Sequence, residues 1–248
     1  MPELVYPPVI LLAKSCFRAF GLRFLLDGTE HVPRTGGAVL ASNHVSYLDF
    51  IFAGLAAQPA GRFVRFMAKD ATFTHPVSGP LMRGMKHIPV DRSAGSASYR
   101  AGLEALRDGE IIGLFPEATI SRSFLLKDFK TGAARMAIRA EVPLVPMVTW
   151  GGQRMFTKGH RRDLHRGRTI SIAVGEALTP HRGENAEKVT AELRNRMAGL
   201  LDIVQRGYPD VPDGPADTFW LPRSLGGTAP SPEEAAAMDA AELAARRD

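Results

Sequence analysis

Short apolar runs alternate along this chain with longer segments in which apolar residues recur every three or four positions. The runs are five to eight residues long, which suits strands, and several are apolar enough to be buried on both faces of a sheet. The predicted strands span residues 38–42, 62–68, 86–90, 110–115, 143–150 and 169–174. The predicted helices span residues 47–57, 97–107, 132–139 and 186–204. This repeated alternation predicts an α/β fold with a largely parallel or mixed central sheet flanked by helices.

The N-terminal segment is apolar but shorter than a membrane span. Residues 4–13 carry no charge, and Lys14 and Arg18 follow, whereas a spanning helix needs about 20 apolar residues. The segment also lacks the basic start and the small-residue cleavage site of a secretory signal. Residues 9–20 predict an amphipathic helix with Lys14 and Arg18 in a narrow basic stripe. We expect it to lie in a membrane interface with both bases at the headgroups, and packing against the core is the alternative.

The C-terminal segment changes composition after about residue 207. It is first rich in proline and glycine and then rich in alanine and glutamate, which predicts an extended stretch leading to a loosely held helix or a disordered tail. The chain therefore divides into an N-terminal membrane-associating segment (1–27), a main domain (28–206) and a C-terminal extension (207–248).

Composition and charge narrow the class of protein. Of the 248 residues, 45% are hydrophobic and 23% charged, which excludes a disordered or fibrous protein. The single cysteine, Cys16, excludes an internal disulfide and disfavours a structural zinc site. The net charge is +5, but residues 225–248 carry −3, so the rest of the chain carries +8. Residues 154–168 hold six bases and one acid, which indicates an anionic partner, either nucleic acid or a membrane surface.

Candidate catalytic side chains are concentrated where the first predicted strand ends. Histidine takes a proton near neutral pH, and a carboxylate can hold its other ring nitrogen and stabilise the imidazolium. Residues five apart on a continuous helix point about 140° apart, so His44 and Asp49 meet only if His44 precedes the helix. Ser46 is a good N-cap, which predicts Asp49 as the third helical residue. A capping pair of Ser46 and Asp49 without catalytic function is the alternative.

Four motifs follow one another in the order and spacing of a known family. They are Asn43-His44 with Asp49 (a His-x4-Asp spacing), IPVDR at 88–92, FPEAT at 115–119 and VPLVP at 142–146. On these motifs the chain resembles the glycerolipid acyltransferase family, which includes the 1-acylglycerol-3-phosphate acyltransferases of phospholipid biosynthesis. The resemblance covers roughly residues 28–178.

The resemblance implies transfer of an acyl group from a thioester, on coenzyme A or acyl carrier protein, to a hydroxyl of a lyso-lipid. The favoured reaction converts lysophosphatidic acid to phosphatidic acid. Since a thioester is already activated, the chemistry needs a base, orientation and support for the developing oxyanion. His44 would be the general base and Asp49 its orienting partner, and helix amides near Ser46 are candidates for the oxyanion. No cofactor and no metal are expected beyond the thioester co-substrate.

The resemblance also indicates residues for the acyl acceptor. Arg92 and Glu117 match positions associated with acceptor binding, and cationic side chains suit a phosphate. The predicted substrate-binding residues are Asn43, Ser46, Lys69, Arg92, Glu117, Thr119 and Arg122. Three departures leave the acceptor open: Ala118 and Lys86 stand where glycine is common, and Ile120 stands where arginine often follows the threonine. A lysophospholipid, an amino-acid-containing lyso-lipid or a glycolipid is the alternative acceptor.

The basic segment is assigned to the membrane on the same grounds. The predicted membrane-surface residues are Lys14, Arg18, Arg154, Lys158, Arg161 and Arg162. Nucleic-acid contact and a solvated charged hairpin are alternatives, and we expect no nucleic acid as a partner. The chain is therefore expected to be peripheral or monotopic on the cytoplasmic face of the cell membrane. Two other functions remain open at this point, hydrolysis of the thioester and a non-enzymatic module that binds anionic lipid.

Overall fold

The computed structural model describes residues 3–90 and 95–245, and within these ranges seven strands form one sheet flanked by helices. The strands are β1 (Arg23–Asp27), β2 (Ala38–Ser42), β3 (Val64–Lys69), β4 (Ile88–Val90), β5 (Ile111–Leu114), β6 (Leu144–Trp150) and β7 (Thr169–Val174). The helices are α1 (Tyr6–Ala19), α2 (Asp49–Ala56), α3 (Ala71–Thr74), α4 (Ser78–Gly84), α5 (Gly95–Arg107), α6 (Gly132–Ala140), α7 (Ala186–Arg206) and α8 (Pro232–Ala245). The predicted α/β class with a mixed central sheet is confirmed.

The sheet topology brings the ends of several strands to one edge. The strand order is β1-β7-β6-β2-β5-β3-β4, and all neighbours are parallel except β6 and β7. Strands β2 to β6 therefore present their carboxyl ends at the same edge, which is where open α/β sheets bind ligands. His44 follows β2, Lys69 ends β3 and Glu117 follows β5, so the sheet gathers residues from three separate segments.

Alternate residues of the buried strands pack on opposite faces of the sheet, as the pleat requires. Val39 and Ala41 of β2 belong to the core formed with α5, α6 and α7, whereas Leu40 belongs to the core formed with α2. Phe52 of α2 is fully buried in that second core, immediately below the segment that carries His44. Both faces of β2 are thus fixed by packing, which limits movement of the residues that follow it.

The sequence pattern locates the central elements better than the peripheral ones. The predicted bounds match β2 and β7 at both ends and match α5, α6 and α7 to within two residues. Strand β1 is missing from the prediction because it is an edge strand whose residues are mostly exposed and lack a buried apolar run. Helices α3 and α4 are missing because they are too short to show a helical period.

Helix α1 packs on the main domain along one side. Tyr6 is buried, its hydroxyl donates to the carbonyl of Val64 (2.7 Å), and its ring stacks on Phe63. Phe17, near the other end, contacts Phe52 with 5.7 Å between ring centroids. Within the described ranges, no helix is long and apolar enough to cross a membrane. A helix is present at the predicted N-terminal position, whereas its amphipathic character and its placement in a membrane interface stay predictions.

Arg154, predicted to lie at a membrane surface, is instead buried. Its side chain is 2% exposed and donates to Asp210 (3.2 Å) and Asp217 (3.0 Å). Its guanidinium lies 4.3 Å from the ring centroid of Trp220, which is also buried. All three partners belong to the C-terminal extension. The first part of that extension is therefore packed against the main domain. The prediction for Arg154 is wrong because its neutralising acids lie more than fifty residues further along the chain.

Lys158 departs from the same prediction. Its ammonium pairs with Asp239 and Glu242 of α8, and the side chain is largely covered. Arg161 and Arg162 are exposed, and the guanidinium of Arg162 lies 4.4 Å from the ring centroid of Phe156. Only part of the basic segment is therefore available to an anionic surface.

Arg154→Met should destabilise the fold, because it removes the buried cation between Asp210 and Asp217. Asp210 then keeps only its ion pair with the exposed Arg23 (2.6 Å), and Asp217 keeps only a longer contact with Arg168 (4.0 Å). We expect a loss of about 3 kcal/mol in the free energy of unfolding. Urea unfolding of the variant measures this loss. Arg162→Ala, at an exposed site, is the matched control and should change stability by less than about 0.5 kcal/mol. Equal stability of the two variants would show that the Arg154 cluster contributes nothing.

Candidate active site

His44 and Asp49 are in hydrogen-bonding contact at the carboxyl end of β2. The distance from His44 Nδ1 to Asp49 Oδ2 is 3.0 Å, and the histidine side chain is 21% exposed whereas the aspartate is buried. Since an ionised carboxylate only accepts hydrogen bonds, Nδ1 carries the proton and Nε2 is left with its lone pair. The pair meets because residues 43–48 are not helical and α2 begins at Asp49. The arrangement is that of a general base with an orienting acid.

Asp49 is held by more than the histidine. Its Oδ2 also accepts the backbone N–H groups of Val45 and Ser46, both at 2.7 Å, and its Oδ1 accepts the hydroxyl of Thr149 (3.0 Å). A buried carboxylate is tolerated only when such donors satisfy it. These donors also fold the chain back over the carboxylate, so the charge of Asp49 shapes the turn that carries His44.

Ser46 has a different position from the predicted N-cap. Leu48 occupies the position before α2, so Asp49 is the first helical residue and not the third. The Ser46 hydroxyl donates to the carbonyl of Phe156 (2.7 Å) and accepts the N–H of Leu48 (3.1 Å). The N–H of Tyr47 donates to the same Phe156 carbonyl. The amides from Val45 to Leu48 are therefore already engaged within the protein, and the expectation that they support an oxyanion is wrong.

Asn43 joins strands instead of facing a substrate. It is fully buried, its Nδ2 donates to the carbonyl of Thr149 (3.0 Å), and its Oδ1 accepts the Thr149 N–H (2.7 Å). These two hydrogen bonds extend the pairing of β2 with β6, with the Asn43 side chain in place of a backbone group. The predicted substrate contact of Asn43 is therefore replaced by a structural one. Thr149 was not predicted as a site residue, and the only sequence signal for it is its place on the neighbouring strand.

Glu117 supports His44 from the other side. Its Oε1 accepts the backbone N–H of His44 (2.9 Å), and its Oε2 accepts the backbone N–H of Lys127 (3.0 Å). The pKa of Glu117 is raised to about 7, because burial, with a smaller contribution from the charge of Asp49, outweighs the two N–H groups and the charge of Lys127, which lower it. With both oxygens committed to backbone, Glu117 positions the histidine in this structure. A direct contact with the acceptor stays a prediction.

An aromatic ring completes the environment of His44. The ring of Phe115 stacks on the imidazole with 4.2 Å between centroids, and Phe66 stacks behind Phe115 at 5.9 Å. The histidine thus has an apolar face on one side and the Asp49 carboxylate on the other, which restricts its ring to one orientation.

The remaining predicted substrate-binding residues are scattered around this centre. Lys69 is exposed at the end of β3, and Thr119 is partly buried in the turn after β5. Arg122 is largely covered and pairs with Asp239 (3.1 Å) and Glu242 (2.8 Å) of α8, so α8 occupies it in this structure. Arg92 lies outside the described residues. Within those residues, no group of three or more histidine, cysteine, aspartate or glutamate side chains is arranged to hold a metal ion.

Two departures from the family pattern keep the backbone that glycine favours. Ala118 has φ 60° and Lys86 has φ 57°, both in the left-handed region. Such a residue costs on the order of 1 kcal/mol relative to glycine. Each departure therefore adds a side chain to a glycine-like turn and leaves the path of the chain unchanged.

Glu117→Gln should change how stability depends on pH. Because the pKa of Glu117 is raised from 4.5 to about 7, the folded protein binds more protons than the unfolded chain between these values, and stability falls as pH rises through them. The wild type should lose on the order of 3 kcal/mol relative to the variant between pH 5 and pH 8. Urea unfolding at both pH values measures the difference. Glu176→Gln, at an exposed position, should reproduce the wild-type dependence; parallel curves for wild type and Glu117→Gln would contradict a raised pKa.

Comparisons with known proteins identify the family. The sequence profile described as Acyltransferase matches residues 23–150. The 1-acyl-sn-glycerol-3-phosphate acyltransferase of Bacillus subtilis (strain 168) is 31% identical over 186 residues, which cover 73% of this chain and 84% of that protein. The chloroplastic 1-acyl-sn-glycerol-3-phosphate acyltransferase LPAT1 of Arabidopsis thaliana is 28% identical over 182 residues, covering 72% of this chain but only about half (49%) of that protein.

A solved structure shares the fold. The crystal structure of PlsC, the 1-acyl-sn-glycerophosphate (LPA) acyltransferase of Thermotoga maritima, matches with a TM-score of 0.70 at 18% identity, over 82% of this chain and 81% of that one. The family profile covers the segment that carries His44, Asp49 and Glu117, and the Bacillus protein is matched over most of its length. The chain is therefore an acyltransferase and belongs to the acyltransferase family.

Proposed function

We propose that this enzyme transfers a fatty acyl group from an acyl thioester to the free hydroxyl of 1-acyl-sn-glycerol-3-phosphate and so forms phosphatidic acid. The observation that carries the proposal is the contact of His44 Nδ1 with the buried carboxylate of Asp49, which leaves Nε2 as a base at the exposed edge of the sheet. The Bacillus and Arabidopsis relatives are named for this reaction, which supports the choice of acceptor.

In the proposed mechanism, Nε2 of His44 takes the proton of the lipid hydroxyl while the hydroxyl oxygen attacks the thioester carbonyl. The tetrahedral intermediate then expels the thiolate, which takes the proton back from the imidazolium. Asp49 keeps the ring in the correct tautomer and stabilises its positive charge during the step. No covalent acyl-enzyme is required, because the thioester is already activated. The donor would be a thioester of coenzyme A or of acyl carrier protein, and no further cofactor takes part.

Two of the three departures from the family pattern bear on the choice of acceptor. The positions held by Ala118 and Lys86 keep the backbone conformation that glycine favours. They therefore give no structural ground for an acceptor different from that of the relatives. A lysophospholipid or glycolipid acceptor is the second candidate, and the departure at Ile120 is the observation that favours it.

We also propose that the enzyme is peripheral on the cytoplasmic face of the cell membrane. Leu11 and Leu12 of α1 are 67% and 64% exposed, and Lys14 and Arg18 are exposed on the same helix. Apolar side chains of this size gain free energy when they enter an acyl layer, and neighbouring bases gain from anionic headgroups. A surface-bound enzyme would meet its lipid acceptor without extracting it into water.

His44→Ala should reduce kcat for acyl transfer by at least about 100-fold, because it removes the base. Purified protein, acyl-CoA and lysophosphatidic acid are the reagents, and mass spectrometry of the lipid product is the measurement. His181→Ala, which removes an exposed histidine far along the chain from the site, is the control and should retain wild-type activity. Transfer by His44→Ala within twofold of the wild type would refute the mechanism. Release of free fatty acid without a new ester would identify a hydrolase.

Leu11→Glu with Leu12→Glu should weaken binding to vesicles that contain phosphatidylglycerol by at least about tenfold, because two apolar contacts with the membrane are lost. Vesicle sedimentation measures the partition. The control is Ile203→Glu with Val211→Glu, which makes the same chemical change at two other exposed apolar positions. An equal effect of both double variants would contradict a specific membrane contact of α1.

A further inference from the structure

Three cations converge on one carboxylate beside the active site. Asp239 of α8 accepts from Arg122 (3.1 Å), Lys127 (2.5 Å) and Lys158 (2.8 Å). Glu242, one helical turn further on, accepts from Arg122 (2.8 Å) and Lys158 (2.7 Å). We call Arg122, Lys127 and Lys158 the cation cluster. Its three positive charges face two negative ones, so the cluster keeps an excess of one positive charge while α8 is in place.

Each member of the cation cluster is tied to the turn that carries His44. The residue before Arg122 is Ser121, whose N–H donates to the carbonyl of His44 (2.7 Å). The residue before Lys158 is Thr157, whose hydroxyl donates to the carbonyl of Val45 (2.6 Å).

Lys127 reaches the same turn through Glu117. Its own N–H donates to Glu117, which in turn accepts the N–H of His44. The cation cluster is therefore built on the catalytic turn and does not belong to a remote surface.

The two ends of α8 are held differently. At the N-terminal end, Ala229 and Ala235 are buried, and Ser231 and Glu234 exchange hydrogen bonds between side chain and backbone. Arg223 adds an ion pair to Glu234.

In the C-terminal half, Met238 and Leu243 are both exposed, and the contacts described above are made by Asp239 and Glu242. A segment held mainly by polar contacts, with few buried apolar side chains, opens more easily than a packed one. The C-terminal half of α8 can therefore leave the cluster while its N-terminal end stays fixed.

A phosphate group would give the cation cluster the same kind of negative charge and acceptor oxygens that α8 supplies. A phosphate monoester carries close to two negative charges at neutral pH and three acceptor oxygens. It would replace the two carboxylates with little change in charge and would offer one oxygen to each of three cations. The exchange of α8 for a phosphate is thus balanced in charge, which is the condition for competition between them.

We propose that the cation cluster is a phosphate-binding site and that Asp239 and Glu242 of α8 occupy it as an internal competitor until a phosphate-bearing lipid displaces them. The inference rests on the proposed function only for the identity of the lipid. The ligand chemistry, a phosphate group, is common to the acceptor and to anionic membrane headgroups, and the experiments below separate these two sources.

In this proposal a competing phosphate separates Asp239 from the cation cluster, whereas mild acid does not. Partial burial acts to raise the pKa of Asp239, but hydrogen bonds from Lys127, Lys158 and Arg122 outweigh it and lower the pKa to about 2. The carboxylate therefore stays ionised, and its contribution to stability is present at neutral pH and is lost only as pH falls towards 2.

The first test uses two substitutions with opposite expected effects. Asp239→Asn removes the competitor and should lower the KM for lysophosphatidic acid by about three- to tenfold, because more of the enzyme is competent to bind. Lys158→Met removes a ligand of the phosphate and should raise the same KM. Glu233→Gln removes one negative charge from the exposed start of α8 and should keep the wild-type KM. A KM that rises or stays unchanged in Asp239→Asn would overturn the proposal.

The second test measures the opening of α8 directly and does not require acyl transfer. Hydrogen–deuterium exchange of residues 236–245 is measured in the wild-type protein with inorganic phosphate, with lysophosphatidic acid in neutral micelles, and with acceptor-free vesicles that contain phosphatidic acid, whose headgroup is also a phosphate monoester. Sodium chloride at equal ionic strength is the control. Faster exchange with any phosphate-bearing probe, relative to chloride, supports the site, and the probe that acts identifies the source.

Unchanged exchange with all three probes would overturn the proposal. A protein that shows faster exchange but no acyl transfer would retain the phosphate site and lose the proposed function, so the two failures are distinguishable.

Discussion

The structure of the active site depends on one buried carboxylate. Asp49 accepts hydrogen bonds from His44, Val45, Ser46 and Thr149, and it lies at the start of α2, where the helix dipole favours a negative charge. Taking a carboxylate out of water is costly unless donors surround it. The protein meets this requirement by folding the chain after β2 back over the carboxylate. The turn that results is also the turn that orients His44, so one electrostatic requirement accounts for both.

The sheet supplies the remaining constraints. Because five strands end at one edge, residues that are distant in the sequence support the same turn: Glu117 after β5 holds the N–H of His44, and Phe156 after β6 accepts from Ser46 and Tyr47. The backbone N–H groups around His44 are therefore already hydrogen-bonded within the protein. Any backbone N–H that stabilises an oxyanion must therefore come from outside residues 45–48.

The sequence predicts those features of the fold and of the site that depend on residues close together in the chain. The apolar runs locate the buried strands, and the His-x4-Asp spacing predicts the contact of His44 with Asp49, because both signals lie within a few residues. The acidic partners of Arg154 and Lys158 lie 56 to 84 residues further along the chain, so a local count of charge assigned both to a surface that the fold does not give them. Asn43 was misassigned for the same reason, since its partner Thr149 is adjacent only in the sheet.

The C-terminal extension shows which contacts a local prediction misses. Its composition predicts an extended stretch leading to a loosely held helix or a disordered tail, and a helix, α8, is present. The composition does not reveal that Asp210, Asp217 and Trp220 cover Arg154 or that α8 covers the cation cluster. The extension thus neutralises much of the positive charge that the main domain carries. The positive surface that an anionic partner could reach is accordingly smaller than the sequence suggests.

The central claim is that Asp49 fixes the tautomer of His44 with the proton on Nδ1 and a free lone pair on Nε2. Nitrogen-15 NMR of the histidine side chains in the resting enzyme tests it directly. The account predicts a protonated, hydrogen-bonded Nδ1 and an unprotonated Nε2 for His44 when the ring is neutral, with this state lost in Asp49→Asn. A neutral ring protonated on Nε2 in the wild-type protein would contradict it.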